Sequence, residues 1–181
     1  MSQFVQATLY GVLQGCMFGL IAVGFSLVWG VMHIVNLSHG AFVLLGAYLA
    51  WQLNALWGID PFVGMLPAAL ALFALGYGLQ RGLINLVVNA PIFITLLLTF
   101  GLELLLVNGL ILVFTADYRA IPTSYAAQSL VLPGDVRLPF GRLLAAGLAV
   151  GVTALLGYVF QRTRTGLAIL ATGMDRGAAR L

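Results

Sequence analysis

The sequence predicts an all-α fold, a polytopic membrane helix bundle of about five transmembrane helices. Of its 181 residues, 62% are hydrophobic and only 7% are charged, and the mean hydropathy is +1.08. A soluble domain carries about 25% charged residues, so this chain lacks the polar surface to cover itself in water. Five apolar stretches approach the length of about 20 residues that a helix needs to cross the hydrocarbon core. Lipid is the solvent these proportions call for.

The expected spans are Leu9–Trp29, Gly40–Trp57, Phe62–Leu79, Ile92–Phe114 and Leu143–Phe160, and Glu103 is the only charge inside them. Backbone polar groups in hydrocarbon must be satisfied within the segment, so each span should be helical. The two-residue alternation of a barrel strand is missing. Gly58, Asp60 and Pro61 should turn the chain between spans two and three, and Asn89 and Pro91 should open span four. Leu83–Val88 is apolar but short; it either lies along the membrane surface or extends span three. Trp29, Trp51 and Trp57 suit the interface. In the polar connection Ala116–Pro139, two short strands around Pro133-Gly134-Asp135 read as a small external hairpin.

Arginine placement suggests the orientation. Arg81, Arg162, Arg164, Arg176 and Arg180 fall on one side and Arg119, Arg137 and Arg142 on the other, and the richer side should be cytoplasmic. The N-terminus and the 116–139 connection are then periplasmic, and the C-terminus is cytoplasmic. Residues 1–160 form the membrane region and residues 161–181 a cytoplasmic segment. The formal charge of +3 is scattered and contains no lysine, which argues against nucleic-acid binding. The single Cys16 cannot form an internal disulfide. A cleavable leader is not expected, because residues 2–8 carry no Lys or Arg.

Three constellations stand out. Gly11, Gly15 and Gly19 recur every fourth residue and form one helix face, where small residues let two backbones approach closely. Plain helix packing and a path-lining role are both open for that face. Thr95, Thr99 and Glu103 form a polar stripe on span four. A carboxylate there is costly and should face protein or water, either hydrogen-bonded to a neighbouring helix or placed in a solute path. Between spans one and two, His33-Ile34-Val35-Asn36-Leu37-Ser38-His39-Gly40 interrupts the apolar sequence. Such a break is tolerated where backbone lines a cavity or reaches the surface. Asn36 or Ser38 could cap the following helix. His33 and His39 lie about 240° apart on a helix, with no HExxH pattern, so no metal site or other cofactor is expected.

After span five, residues 161–181 mix small apolar residues with charge, and Asp175 could begin a short helix through Arg180. The segment suits docking of a soluble partner or contact with lipid headgroups.

Span one running into Trp29-Gly30, then Asn36-Leu37-Ser38-His39-Gly40, then Leu97-Leu98-Thr99-Phe100-Gly101-Leu102, and finally Arg162–Leu181, together resemble the permeases of branched-chain amino acid ABC importers. That family has a Gly-rich first helix, an Asn-Phe-Ala/Ser-His-Gly type motif and a short cytoplasmic coupling helix. The resemblance implies a permease subunit in the bacterial inner membrane for branched-chain amino acids or similar small solutes. It implies ABC ATPase subunits, a second permease subunit, a periplasmic substrate-binding protein and the lipid bilayer as partners, with ATP hydrolysis in the partner and no catalytic residue here. By matching position, Asn36, Ser38, His39 and Gly40 belong near the translocation path, where Thr99 and Glu103 are also candidates. Ala171, Asp175, Arg176, Ala178, Ala179 and Arg180 fall in the coupling segment. Leu170 stands where the family usually has a basic residue, and Gly177 where it has Glu. The permease domain is expected to be incomplete, since such permeases continue through further spans. The competing expectations are a non-transporting membrane scaffold and a truncated permease fragment.

Overall fold

The computed structural model describes residues 2–88, 90–123, 125, 128–132 and 136–174. In chain order these form α1 (Ser2–Met32), α2 (His39–Trp57) and α3 (Pro61–Leu79), which runs through a π-helical turn (Gln80–Ile84) into α4 (Asn85–Val87). They continue with α5 (Ile92–Phe114), β1 (Ser129–Leu132), β2 (Val136–Pro139), α6 (Phe140–Arg162) and α7 (Arg164–Met174). Among the described residues, five helical runs are long and apolar enough to cross a membrane: α1, α2, α3 through α4, α5 and α6. Phe73, Leu105 and Leu112 point outward at 72, 69 and 85% exposure, as side chains do when their surroundings are hydrocarbon. The fold is that of an all-α polytopic membrane protein.

Contacts divide the chain into two compact units, residues 1–31 with 122–181, and residues 32–121. In the first, α1 has 31 residues, about 46 Å at 1.5 Å per residue. It starts earlier than the expected Leu9 because Ser2–Thr8 continues the helix without a breaker. β1 and β2 pair antiparallel, with Ser129 opposite Pro139 and Leu132 opposite Val136. Val136 and Leu138 are buried while Arg137 between them is exposed, the two-residue alternation of a half-buried strand. The Tyr10 hydroxyl donates to the Arg137 carbonyl at 2.8 Å, and the Arg142 guanidinium lies 4.9 Å from the Tyr10 ring centre. The hairpin therefore sits at the N-terminal end of α1. The expected turn at Pro133-Gly134-Asp135 lies outside the described residues.

The corner from α6 to α7 is built by Thr163. Its backbone N–H and its hydroxyl both donate to the Val159 carbonyl, at 3.1 and 2.6 Å. Its Oγ1 accepts from Gly166 N at 3.0 Å, an N-cap for α7. A Cβ on Gly166 would overlap the Val159 carbonyl oxygen, so only glycine allows the two backbones to approach this closely. At the other end of α7, a Cβ on Gly173 would come within 2.5 Å of the Gly30 carbonyl oxygen. α7 thus meets α1 at the end opposite the hairpin.

In the second unit, α2 stops at Gly58, whose φ of +63° forms a left-handed cap with its N–H on Asn54 O at 2.8 Å. Asp60 then caps α3 by accepting from Phe62 N at 2.9 Å, with Pro61 as the first helical residue. The two helices pack as an antiparallel pair in which Gly46 makes room for Leu72. Leu83–Val88 extends span three through the π-helical turn and α4. α5 ends at Thr115, a β-branched residue held at φ +63°; side chains of that kind rarely occupy this region.

Candidate functional site

The strongest constellation lies where α1 gives way to α2. The helix breaks at His33, a non-glycine residue at φ +57°, and the backbone from Ile34 to Asn36 is neither helix nor strand. Such a stretch leaves carbonyls and N–H groups without helical partners, and in an apolar setting each must find one. Asn36 supplies part of the answer: its Oδ1 accepts from Ser38 N at 3.1 Å and from Ser38 Oγ at 2.6 Å. This is a side-chain turn that leads the chain into α2. Ser38 occupies the N-cap position without a side-chain cap bond, so the capping expected of Asn36 or Ser38 is replaced by the bond between them.

The rest is supplied by α5. Thr99 Oγ1 lies 3.1 Å from the Val35 carbonyl oxygen and accepts from Leu37 N at 3.3 Å. The same hydroxyl also lies 3.1 Å from Leu96 O in its own helix. Thr99 and Ser38 are both fully buried at 0% exposure, so these bonds are shielded from solvent and lipid alike. Thr95, one turn earlier, is buried too and donates to Ile92 O at 2.8 Å.

Beside this knot is a cleft of about 90 Å3 lined by Asn36, Ser38, Phe42, Leu79, Gln80 and Leu102. At about 30 Å3 per molecule it has room for roughly three waters, too little for an aliphatic amino acid. Gln80 opens the π-helical turn, a local widening that often re-aims side chains at functional positions. Its Nε2 donates to Asn85 Oδ1 at 3.0 Å.

The structure therefore joins Asn36, Ser38 and Thr99. His39 is half-buried at the first turn of α2, whereas Gly40 is exposed with open space around it. Glu103 continues the face of Thr99 but is only half-buried, does not line the cleft, and has no hydrogen-bond partner among the described residues. Among the described residues, and apart from α1's own backbone, nothing lies within 4 Å of a Cβ placed at Gly11, Gly15 or Gly19.

In the coupling segment, Ala171 is exposed on α7, while Asp175, Arg176, Ala178, Ala179 and Arg180 lie outside the described residues. The short helix that could begin at Asp175 lies outside the described residues; ahead of it, a helix not expected from the sequence runs from Arg164 to Met174. The signal passed over was Thr163, a capping residue three positions ahead of Gly166. Sequence reasoning also missed Gln80, since one polar residue at the end of an apolar helix gives no hint of a widened turn.

Compared with known proteins, residues 7–181 match the family described as the branched-chain amino acid transport system permease component. The chain belongs to this permease family. Permease protein BraD of the high-affinity branched-chain amino acid transport system of Pseudomonas aeruginosa is 27% identical over 164 residues, covering 86% of this chain and 50% of BraD. Permease protein LivH of Salmonella typhimurium, from a system of the same description, is 27% identical over 136 residues, covering 71% of this chain and 44% of LivH. The chain spans about half the length of these curated relatives. No solved structure matches it. With its apolar helices, membership in this permease family makes the chain a multi-pass membrane protein.

Proposed function

We propose that the chain is a permease subunit of an ABC importer for branched-chain amino acids or similar small solutes in a bacterial inner membrane. ATP hydrolysis in partner ATPase subunits would drive it. A second permease subunit and a periplasmic binding protein complete the assembly. One observation carries the reading: an irregular polar backbone segment between two apolar helices, held by the buried Thr99 hydroxyl. Transporters place broken helices of this kind along the solute path, and family membership supports that role for Asn36, Ser38 and Thr99. His39, Gly40 and Glu103 stay with the proposal as neighbours of the path.

In this reading α7 and the residues after it are the foot on which the ATPase docks, and the hairpin lies on the periplasmic side. Arg162 and Arg164 at the α6–α7 corner suit a cytoplasmic location. The open glycine face of α1 supports contact with the second permease subunit.

Two experiments test the proposal. Affinity-tagged chain in native membranes should retain an ATPase subunit, and glutamate at both Ala178 and Ala179 should release it; unchanged retention counts against docking here. Single cysteines replacing Leu130 and Arg164 should react with a membrane-impermeant maleimide from opposite faces of the membrane. Labelling from one face would overturn the orientation.

A further inference from the structure

Away from the polar break, at the other end of α5, α2 and the turn after α5 line an open pocket of about 330 Å3. Its walls include Leu44, Ala47, Tyr48, Trp51, Asp117 and Arg119. The aromatic side is rigid: Phe114 stacks on Tyr48 at 4.7 Å between ring centres and meets Trp51 edge-on at 6.2 Å. Arg119 lies over Trp51, its guanidinium carbon 4.8 Å from the ring centre. Nη2 of Arg119 donates to Phe114 O at 3.0 Å, so the cation is held from two directions. The turn is fixed by Thr115 at φ +63°, whose hydroxyl bonds Asp117 Oδ2 at 2.6 Å.

The pocket thus presents a cation and an anion two residues apart, and among the described residues no ion pair joins them. A guanidinium has five N–H donors, and the bonds to Phe114 O and Thr115 Oγ1 leave several free. Below the charges lies an apolar and aromatic floor. Ligand pockets begin at about 300 Å3, so the volume suits one small molecule.

We infer that this pocket receives a single zwitterionic amino acid with an aliphatic side chain. Arg119 takes the carboxylate in the bidentate manner guanidinium favours. Asp117 takes the ammonium. Leu44, Ala47, Tyr48 and Trp51 receive the side chain, where each buried methylene adds affinity. A lipid phosphate is disfavoured, because the Asp117 carboxylate would oppose it. The inference rests on the proposed transport function and gives that function an entry site separate from the Asn36–Ser38–Thr99 knot.

The test uses the full chain in phosphatidylcholine nanodiscs with tritiated leucine as the probe. Saturable binding is expected. Leucinamide, which lacks the carboxylate, and N-acetylleucine, which lacks the ammonium, should each compete at least about tenfold less well than leucine, as expected when a charge-assisted bond is lost. Arg119→Gln should weaken leucine binding by a similar factor and make leucinamide and leucine equal competitors. Asp117→Asn should do the same for N-acetylleucine. This exchange of preferences is a readout that mere misfolding would not produce. Arg119→Lys, which keeps the charge but not the fork, should bind at an intermediate level.

The inference is overturned if no saturable binding is found. It is equally overturned if both substitutions leave the competitor ranking intact, or if phosphatidylglycerol added to the nanodiscs displaces leucine and so marks a lipid site. Uptake in cells separates this inference from the transport proposal. Leucine uptake that depends on the gene but survives Arg119→Gln removes the pocket alone. Branched-chain amino acid uptake that is indifferent to deletion of the gene removes the transport proposal.

Discussion

Replacing Gly166 with alanine is expected to pry α7 away from α6 and to lower the proposed ATP-driven uptake. The added Cβ would overlap the Val159 carbonyl oxygen and lie 2.6 Å from Phe160 Cα. Both are backbone atoms, so no rotamer change relieves the clash. The corner must open, and the bond from Gly166 N to Thr163 Oγ1, 3.0 Å long, goes with it. Overpacking of about 1–3 kcal/mol and a lost cap of about 1 kcal/mol together give roughly 2–4 kcal/mol. At about 1.4 kcal/mol per factor of ten, that changes the population of the docked α7 by well over tenfold. Tryptic cleavage after Arg162 and Arg164 measures the opening directly and should accelerate. Cleavage and uptake that both match the parent protein would show that the corner tolerates the methyl and that its tightness has no role.

Thr99→Val is expected to destabilise the junction of α1 and α2 by about 2–4 kcal/mol, while Thr99→Ser should cost about 1 kcal/mol through the lost methyl. Valine keeps the shape of threonine but leaves Val35 O and Leu37 N without their partner. Hydrogen bonds between membrane helices are often worth only about 0.6 kcal/mol, because the separated helices find other partners. The two backbone groups here meet a hydroxyl that is itself fully buried, with no helical partner to replace it, so the larger penalty applies. Thermal unfolding in detergent, followed by near-ultraviolet circular dichroism, should rank the variants parent, serine, valine. A valine variant as stable as the parent would mean that water satisfies those groups and that Thr99 does not hold the break.

Much of this architecture was legible because lipid imposes such narrow rules. An apolar run of some 20 residues has almost no alternative to a helix, which is why span four, Ile92–Phe114, was placed at both ends. Gly58, Asp60 and Pro61 each act through local backbone chemistry, and the turn they form was equally plain. The hairpin was visible from Val131 and Val136 flanking a turn sequence. Less accessible were features that depend on distant partners. Thr99 stands out in the sequence as a member of a polar stripe and of the Leu97–Leu102 stretch, but its bonds to Val35 and Leu37 join residues more than sixty positions apart. In the sequence Arg119 is one scattered charge, and nothing in its neighbourhood announces Trp51 beneath it. Gly166 was one glycine among 22 until the fold put Val159 against it.

The first helix has a geometric consequence of its own. A rod of about 46 Å cannot hide in a slab of about 30 Å, even with a lean of 40°, which shortens its vertical reach only to roughly 35 Å. The surplus must protrude, and the amide side chains of Gln3 and Gln6 suit the aqueous end better than the greasy one. Tyr10, tethered to the Arg137 carbonyl and capped by Arg142, then marks the waterline, leaving two helical turns as a short post beside the strands.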